Sequence, residues 1–218
     1  MPGEAGALFG ARRTLYSYGP YYVSEAATMP ALLVRAAIPV LWISWFLYWM
    51  LAARDVKSTR WREPASRRWM HSLFFVVAAG LIIAPDPDWG FLVQQYMPVT
   101  GLTALIGTLI VAFGLGFAIW ARRHLGRDWS GTITLKEGHS LVRSGPYKWV
   151  RHPIYTGILL GFAGTAIAVG QWRSLIATAF FTLGILIRCH VEEQKMAETF
   201  PEYGDYRRHS WALFPYIY

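Results

Sequence analysis

The sequence predicts an all-α integral membrane protein with about five transmembrane helices. Of its 218 residues, 54% are apolar and only 16% are charged, whereas soluble domains carry roughly 25% charged residues. The apolar residues are gathered in runs close to the roughly 17–25 residues that a helix needs to cross a bilayer. The basic residues, which give a formal net charge of +8, are confined to the segments between those runs.

Five apolar runs are compatible with membrane helices. They cover residues 29–53, 69–84, 99–120, 154–170 and 172–187. Little more than Gln171 separates the last two, which predicts an antiparallel helical hairpin. Residues 1–28 are mixed in character and are expected to form an interfacial segment, so that residues 29–218 make a single membrane domain.

The distribution of Lys and Arg predicts the orientation of these helices. Residues 54–68 and 121–153 are rich in basic side chains, whereas residues 85–98 contain none. Cytoplasmic loops carry an excess of Lys and Arg. Five spans place both basic segments and the C-terminal tail on the cytoplasmic side. This basic character fits anionic lipid headgroups or an anionic ligand better than nucleic acid.

Two residue patterns within the runs predict how the helices pack. Gly157, Gly161 and Gly164 recur at helical spacing, and small residues allow helix backbones to approach closely in lipid. This pattern therefore predicts close packing of the fourth helix against a neighbour. The residues Trp42, Trp45 and Trp49 follow one side of the first helix and are expected to face lipid or the membrane interface.

A polar cluster is predicted where the last two helices leave the membrane. Residues 145–157, GPYKWVRHPIYTG, form a polar and aromatic turn that runs directly into an apolar span. On the last helix, Arg188 and Glu192 are four residues apart and share a face, and Glu193 follows. Taken singly, such residues are ordinary interfacial or solvated side chains. Together they offer partners for a ligand that carries both a positive and a negative group.

Several other classes of site are disfavoured by missing motifs. The six His residues are dispersed, HExxH is absent and Cys189 is the single cysteine, so no metal site is predicted. There is no GxSxG elbow of a serine hydrolase. Neither GxGxxG nor a Walker phosphate loop is present, which argues against a soluble-type nucleotide-binding fold.

The C-terminal half resembles the isoprenylcysteine carboxyl methyltransferases, their bacterial relatives and the phospholipid N-methyltransferases. The shared pattern consists of HSLV at 139–142, GPY at 145–147, RHPIYxG at 151–157, EE at 192–193 and FPEYxxY at 200–206. The resemblance implies S-adenosylmethionine as methyl donor, bound on the cytoplasmic side by residues 122–157 and 188–211. It also implies a bacterial inner-membrane location.

The resemblance also implies roles for individual residues. Contacts with the cofactor are expected from His139, Leu141, Val142, Tyr147, His152, Pro153, Ile154, Tyr155, Glu192 and Glu193. One of the two glutamates would pair with the donor's amino group, and Arg188 would face a carboxylate of the donor or of the acceptor. His152 and Arg188 are the candidate catalytic residues. The tail departs from the family pattern by being one residue shorter after Phe200, and the acceptor side has no transferable motif.

The expected reaction is methyl transfer to a lipophilic or small acceptor. The resemblance favours carboxylate O-methylation of the isoprenylcysteine type, and a carboxylate acceptor needs no general base. A phospholipid amine or a thiol would need one, for which His152 or a glutamate is available. Two further alternatives are an NADPH-dependent reductase related to sterol reductases and a basic membrane scaffold without enzymatic activity. The oligomeric state is not predicted.

Overall fold

The computed structural model describes residues 32–54, 59–62, 64–85, 89–129, 134–136 and 141–217. The predicted interfacial segment at 1–28 and the candidate cofactor contact His139 lie outside these ranges. Within them helices dominate, which confirms the helical class.

Within the described residues, six α-helices and one two-stranded sheet follow along the chain. The helices are α1 (Ile38–Ala52), α2 (Ala65–Ile83), α3 (Gly101–Leu125), α4 (Pro153–Val169), α5 (Trp172–Thr199) and α6 (Tyr203–Arg208). A π-helical stretch, Leu33–Ala37, leads into α1. Strands β1 (Thr59–Arg62) and β2 (Thr134–Lys136) pair antiparallel, which links the two basic segments.

The first five helices lie on the five apolar runs. By length and composition, two stretches of the described chain are able to cross a membrane: Gly101–Asp128, which contains α3, and α5. The apolar helices α1 and α4 and the part of α2 after Arg68 are shorter. The structure is therefore consistent with a helical membrane protein, and the number of spans stays a prediction. Helix α5 continues past residue 187 to Thr199, so Arg188, Glu192 and Glu193 lie on one unbroken helix.

The predicted hairpin between α4 and α5 is confirmed. Helix α4 begins at Pro153, whose fixed φ suits the first helical position, and it ends at Gly170 with φ +68°. That left-handed conformation favours glycine. A Cβ on Gly170 would also lie 2.8 Å from the Met97 carbonyl oxygen. The chain then turns through Gln171 directly into α5.

The close packing predicted for α4 is confirmed, and its partner is α3. A Cβ added to Gly114 of α3 would lie 2.5 Å from the carbonyl oxygen of Gly157. Likewise, a Cβ on Gly107 would lie 2.5 Å from the carbonyl oxygen of Gly164. The two backbones are therefore in direct contact, and α3 fixes the position of the N-terminal end of α4.

The prediction that the α1 tryptophans face lipid is wrong for Trp42 and Trp45. The indole Nε1 of Trp42 donates to the Thr165 hydroxyl at 3.1 Å, and its ring meets Phe162 edge to face. Trp45 is buried and stacks on Trp49. Because α1 is apolar on every side, its sequence periodicity does not distinguish a lipid-facing side from an inward one.

Candidate active site

A cavity of about 560 Å³ lies among α1, α2, α4, α5 and α6. Its size is within the roughly 300–1,000 Å³ typical of small-molecule sites. Its lining changes character along α5, from Phe181 and Ile185 to Arg188 and Glu192. Since each residue advances a helix by about 1.5 Å, the cavity has a polar end and an apolar end about 15 Å apart.

His152 lies at the polar end, immediately before α4. Its Nε2 lies 3.3 Å from Glu193 Oε1, and its Nδ1 lies 3.4 Å from Glu192 Oε2. Burial alone would lower the pKa of His152. The nearby Cys189 thiol and the two carboxylates outweigh that effect and hold the pKa of His152 well above its ordinary value. The raised pKa favours the protonated imidazole, whose positive charge would lie between the two carboxylates.

A second group of hydrogen bonds joins Tyr155, Arg188 and Glu192. The Tyr155 hydroxyl donates to Glu192 Oε1 at 2.6 Å. Arg188 Nε donates to the same carboxylate oxygen at 3.0 Å and to the Tyr155 hydroxyl at 2.7 Å. All three residues line the cavity. The predicted i, i+4 relation of Arg188 and Glu192 is thus an ion pair at the cavity wall.

The two adjacent glutamates have different surroundings. Glu192 lines the cavity, whereas Glu193 is not among the described lining residues. Glu193 instead accepts a hydrogen bond from Arg151 Nε at 2.7 Å, and Arg207 Nε lies 3.5 Å away. Successive side chains on a helix point about 100° apart, so one faces the cavity while the other faces the tail.

The C-terminal tail holds the loop that presents His152. The backbone N–H groups of Arg151 and His152 donate to the carbonyl oxygens of Trp211 and Ala212 at 2.8 and 3.0 Å. The Arg151 guanidinium donates to the Ser210 carbonyl oxygen. One turn into α4, the Thr156 hydroxyl donates to the Leu213 carbonyl oxygen at 2.7 Å. These bonds fasten the tail across the start of α4.

Three tyrosines complete the polar wall on the side of the tail. The Tyr206 hydroxyl donates to the Tyr147 carbonyl oxygen at 2.6 Å. Burial raises the pKa of Tyr206 to about 12. It raises the pKa values of Tyr147 and Tyr203 well above their usual range. All three phenols are therefore neutral hydrogen-bonding groups at physiological pH.

Most of the predicted site residues meet at this cavity. Its lining includes Leu141, Val142, Tyr147, His152, Ile154, Tyr155, Arg188 and Glu192. Pro153 is buried as the first residue of α4, and Glu193 faces the tail.

Other lining residues were not predicted from the sequence: Trp45, Trp49, Asp128, Trp129, Tyr203 and Tyr206. Tyr203 and Tyr206 belong to the tail motif, so the sequence pattern could have indicated them as site residues. The two α1 tryptophans did not, because they were expected to face lipid.

Comparison with known proteins identifies the family. A family model for phospholipid methyltransferases matches residues 102–203, which contain α4, α5 and the polar end of the cavity. The nickel-cobalt-cadmium resistance protein NccN of Alcaligenes xylosoxydans xylosoxydans is 31% identical over 153 residues, which are 62% of this chain and 71% of that protein.

Two further relatives match over shorter stretches. The cobalt-zinc-cadmium resistance protein CzcN of Cupriavidus metallidurans is 34% identical over 96 residues, 42% of this chain and 43% of CzcN. The protein-S-isoprenylcysteine O-methyltransferase of Saccharomyces cerevisiae is 30% identical over 127 residues, 56% of this chain and 53% of the yeast enzyme. The chain thus spans about half the length of these two relatives. Its match to the family model and to NccN shows that it belongs to the isoprenylcysteine carboxyl methyltransferase and phospholipid methyltransferase family of membrane proteins.

Proposed function

We propose that the protein is an S-adenosylmethionine-dependent methyltransferase that acts on a lipophilic acceptor. The observation that carries this proposal is one cavity with a charged end at Arg188 and Glu192 and an aromatic end at Phe181. A polar donor and a lipophilic acceptor would meet between these ends. The basic segments beside the site support an orientation toward the cytoplasm. The bacterial relatives CzcN and NccN support a location in a bacterial inner membrane.

The polar end suits S-adenosylmethionine by the chemistry of its groups. The donor's amino group is a cation, and the Glu192 carboxylate lines the cavity. Its carboxylate is an anion, for which the Arg188 guanidinium is the partner. The buried Tyr147 ring and the side chains of Leu141 and Val142 offer an apolar surface for the adenine. When bound, the donor supplies a methyl group on a positively charged sulfur.

The apolar end suits the hydrocarbon part of an acceptor. Phe46 of α1 lines it from one side, and Phe75 and Val76 of α2 line it from the other. Phe46 and Val76 are also exposed on the outer surface of the helices. Such a surface lies in lipid when the protein is in a membrane. An acceptor dissolved in the bilayer would enter between α1 and α2 without passing through water.

The charged groups of the site favour a carboxylate as the methyl acceptor. A protonated His152 is not able to remove a proton from an amine or a thiol. Glu192 already accepts hydrogen bonds from Tyr155 and Arg188. A carboxylate needs no deprotonation at neutral pH, so the residues would only align the reactants and exclude water. Alignment of this kind is worth up to roughly 7–11 kcal/mol of a reaction barrier.

Transfer of a radioactive methyl group tests this proposal. The purified protein is incubated with methyl-labelled S-adenosylmethionine and prenylated cysteine peptides that end in a free carboxylate. We expect label in the organic extract, released as volatile methanol by alkali, because a methyl ester is hydrolysed by base. Label that resists alkali on a lipid amine or thiol would overturn the carboxylate assignment. If no label is transferred to a prenylated carboxylate, a lipid amine or a thiol, the proposal that the protein is a methyltransferase is overturned.

A further inference from the structure

The indole N–H of Trp45 is a buried hydrogen-bond donor without an acceptor. Trp45 is 6% exposed and lines the candidate active-site cavity from α1. Its Nε1 is buried and, in the part of the chain that the structure describes, has no hydrogen-bond partner. The neighbouring Trp42 differs, because its Nε1 donates to the Thr165 hydroxyl at 3.1 Å. A buried donor that stays unpaired costs free energy, so the environment of Trp45 calls for an acceptor that the chain itself does not supply.

The ring contacts of Trp45 explain its burial but supply no acceptor. Trp45 stacks on Trp49 with ring centroids 4.7 Å apart and an interplanar angle of 28°. Trp42 lies almost perpendicular to Trp45, with ring centroids 5.8 Å apart. An N–H that points at an aromatic face gains only a weak interaction. Because Nε1 is itself buried, an oxygen in the cavity pairs with it when the indole turns against Trp49.

An aromatic floor closes the apolar end of the cavity near Trp45. This floor consists of the rings of Trp42, Phe162 and Phe181. The ring centroid of Phe162 lies 5.3 Å from that of Trp42 and 4.3 Å from that of Phe181. Trp45 is three residues from Trp42 on α1, so it lies about 4.5 Å from the floor along the helix.

The other end of α1 lies near the polar wall of the cavity. The Ala52 carbonyl oxygen accepts a hydrogen bond from Arg122 Nη2 at 2.6 Å. One residue before Arg122, the Ala121 carbonyl oxygen lies 3.5 Å from the hydroxyl oxygen of Tyr147, which belongs to the polar wall. A lipophilic acceptor with its carboxylate at the charged end and its hydrocarbon toward the floor therefore passes Trp45 part of the way along its length.

We propose that the Trp45 N–H donates a hydrogen bond to a carbonyl oxygen of the methyl acceptor, and so selects acceptors that carry an amide or ester group beside the hydrocarbon in addition to the accepting carboxylate. This inference rests on the proposed function, because it takes the cavity to be the acceptor site. A plain fatty carboxylate would leave the N–H unpaired. A site built to hydrogen-bond one group of a ligand discriminates against the analogue that lacks this group, because the buried partner is then left without an acceptor.

The indole N–H signals in a nitrogen–proton correlation spectrum test this proposal. The eleven tryptophans each give one signal, and Trp45→Phe and Trp49→Phe identify the signals of these two residues. The protein in detergent micelles is titrated with N-acetyl-S-farnesylcysteine, or with S-farnesylthiopropionate, which lacks the acetamide and is otherwise the same. We expect both ligands to move the Trp49 signal. Only the first should move the Trp45 signal downfield, because a hydrogen bond deshields the proton.

The affinities of the two ligands give a second readout. Trp45→Phe should reduce the preference for N-acetyl-S-farnesylcysteine over S-farnesylthiopropionate about 2- to 12-fold, because a net hydrogen bond contributes about 0.5–1.5 kcal/mol. The comparison of two ligands cancels the loss of ring contacts that both share. Trp120→Phe is the matched control, since Trp120 is 47% exposed and is not among the described lining residues. It should leave the preference unchanged.

Three results would overturn the proposal in different ways. Movement of the Trp49 signal with an unchanged Trp45 signal would show that the neighbouring rings alone accommodate the N–H. An equal downfield shift of the Trp45 signal with both ligands would make the carboxylate the partner and remove the requirement for a second carbonyl. If neither signal moves with either ligand, the cavity does not hold a lipophilic acceptor, and the acceptor side of the proposed function is overturned together with this inference.

Discussion

At the scale of single residues, the structure places the neighbouring Glu192 and Glu193 in different surroundings, which the sequence did not distinguish. Both follow Arg188 on one helix, and the family pattern fits either as the ligand of the donor. The choice depends on how α5 is rotated relative to the tail, and tail contacts such as that between Arg151 and Ser210 are long-range. The convergence of His152, Tyr155 and Glu192 was predictable, whereas the orientation of Glu193 toward the tail was not.

Substitution of these glutamates separates binding from stability. Glu192→Gln should weaken binding of S-adenosylhomocysteine about 10- to 150-fold, because a hydrogen bond to a charged group contributes about 1.5–3 kcal/mol. Both substitutions remove one partner of a buried ion pair and should lower the unfolding free energy by about 3–5 kcal/mol, but Glu193→Gln should leave the binding largely unchanged. Calorimetric titration and thermal unfolding measure the two effects. Equal effects of both substitutions on binding would contradict the assignment.

The protonated His152 predicts a pH dependence of stability. The folded pKa lies above the value of about 6.5 expected in the unfolded chain. The stabilisation by His152 is therefore fully present below pH 6.5 and is lost as the pH rises through the folded pKa. We expect the Tm difference between the wild type and His152→Gln to shrink with increasing pH above neutrality. A Tm difference that is constant or grows with pH would show that His152 is neutral in the folded protein.

At the scale of helices, the sequence predicted where the helices lie along the chain better than it predicted which side of a helix faces inward. The five apolar runs located α1 to α5, and the glycines of α4 predicted its close contact. The side of α1 that faces inward was missed because Trp42 and Trp45 lie on a helix without a polar face. The hydroxyl that Trp42 meets, Thr165, is 123 residues away, so local pattern carried no information about it.

The glycine contact between α3 and α4 predicts a contrast between two substitutions on one helix. Gly114→Ala should destabilise the protein by about 1–3 kcal/mol, because its Cβ would overlap the Gly157 carbonyl oxygen at 2.5 Å. Gly116→Ala is the matched control, since its Cβ meets nothing within 4 Å. It should be neutral or stabilising by about 0.5–1 kcal/mol. Thermal unfolding that ranks the two variants the other way would contradict the packing.

At the scale of the whole molecule, the basic segments predict which side of the membrane the site faces. The new thiol of Gln94→Cys, in the segment free of Lys and Arg, should react with an impermeant maleimide in intact cells. The new thiol of Arg208→Cys, in the tail, should react only after lysis. Both Gln94 and Arg208 are exposed, and the natural Cys189 is buried, so background labelling should be low. The reverse labelling pattern would place the site outside the cell.

The central claim is that the cavity bounded by His152, Tyr155 and Glu192 holds the methyl donor. The most direct test is calorimetric titration of the detergent-solubilised protein with S-adenosylhomocysteine, alongside NADPH. We expect saturable binding of one S-adenosylhomocysteine per chain, weakened in Glu192→Gln and retained in Gly116→Ala. A folded protein that binds NADPH and not S-adenosylhomocysteine would be a reductase, and one that binds neither would not be a methyltransferase.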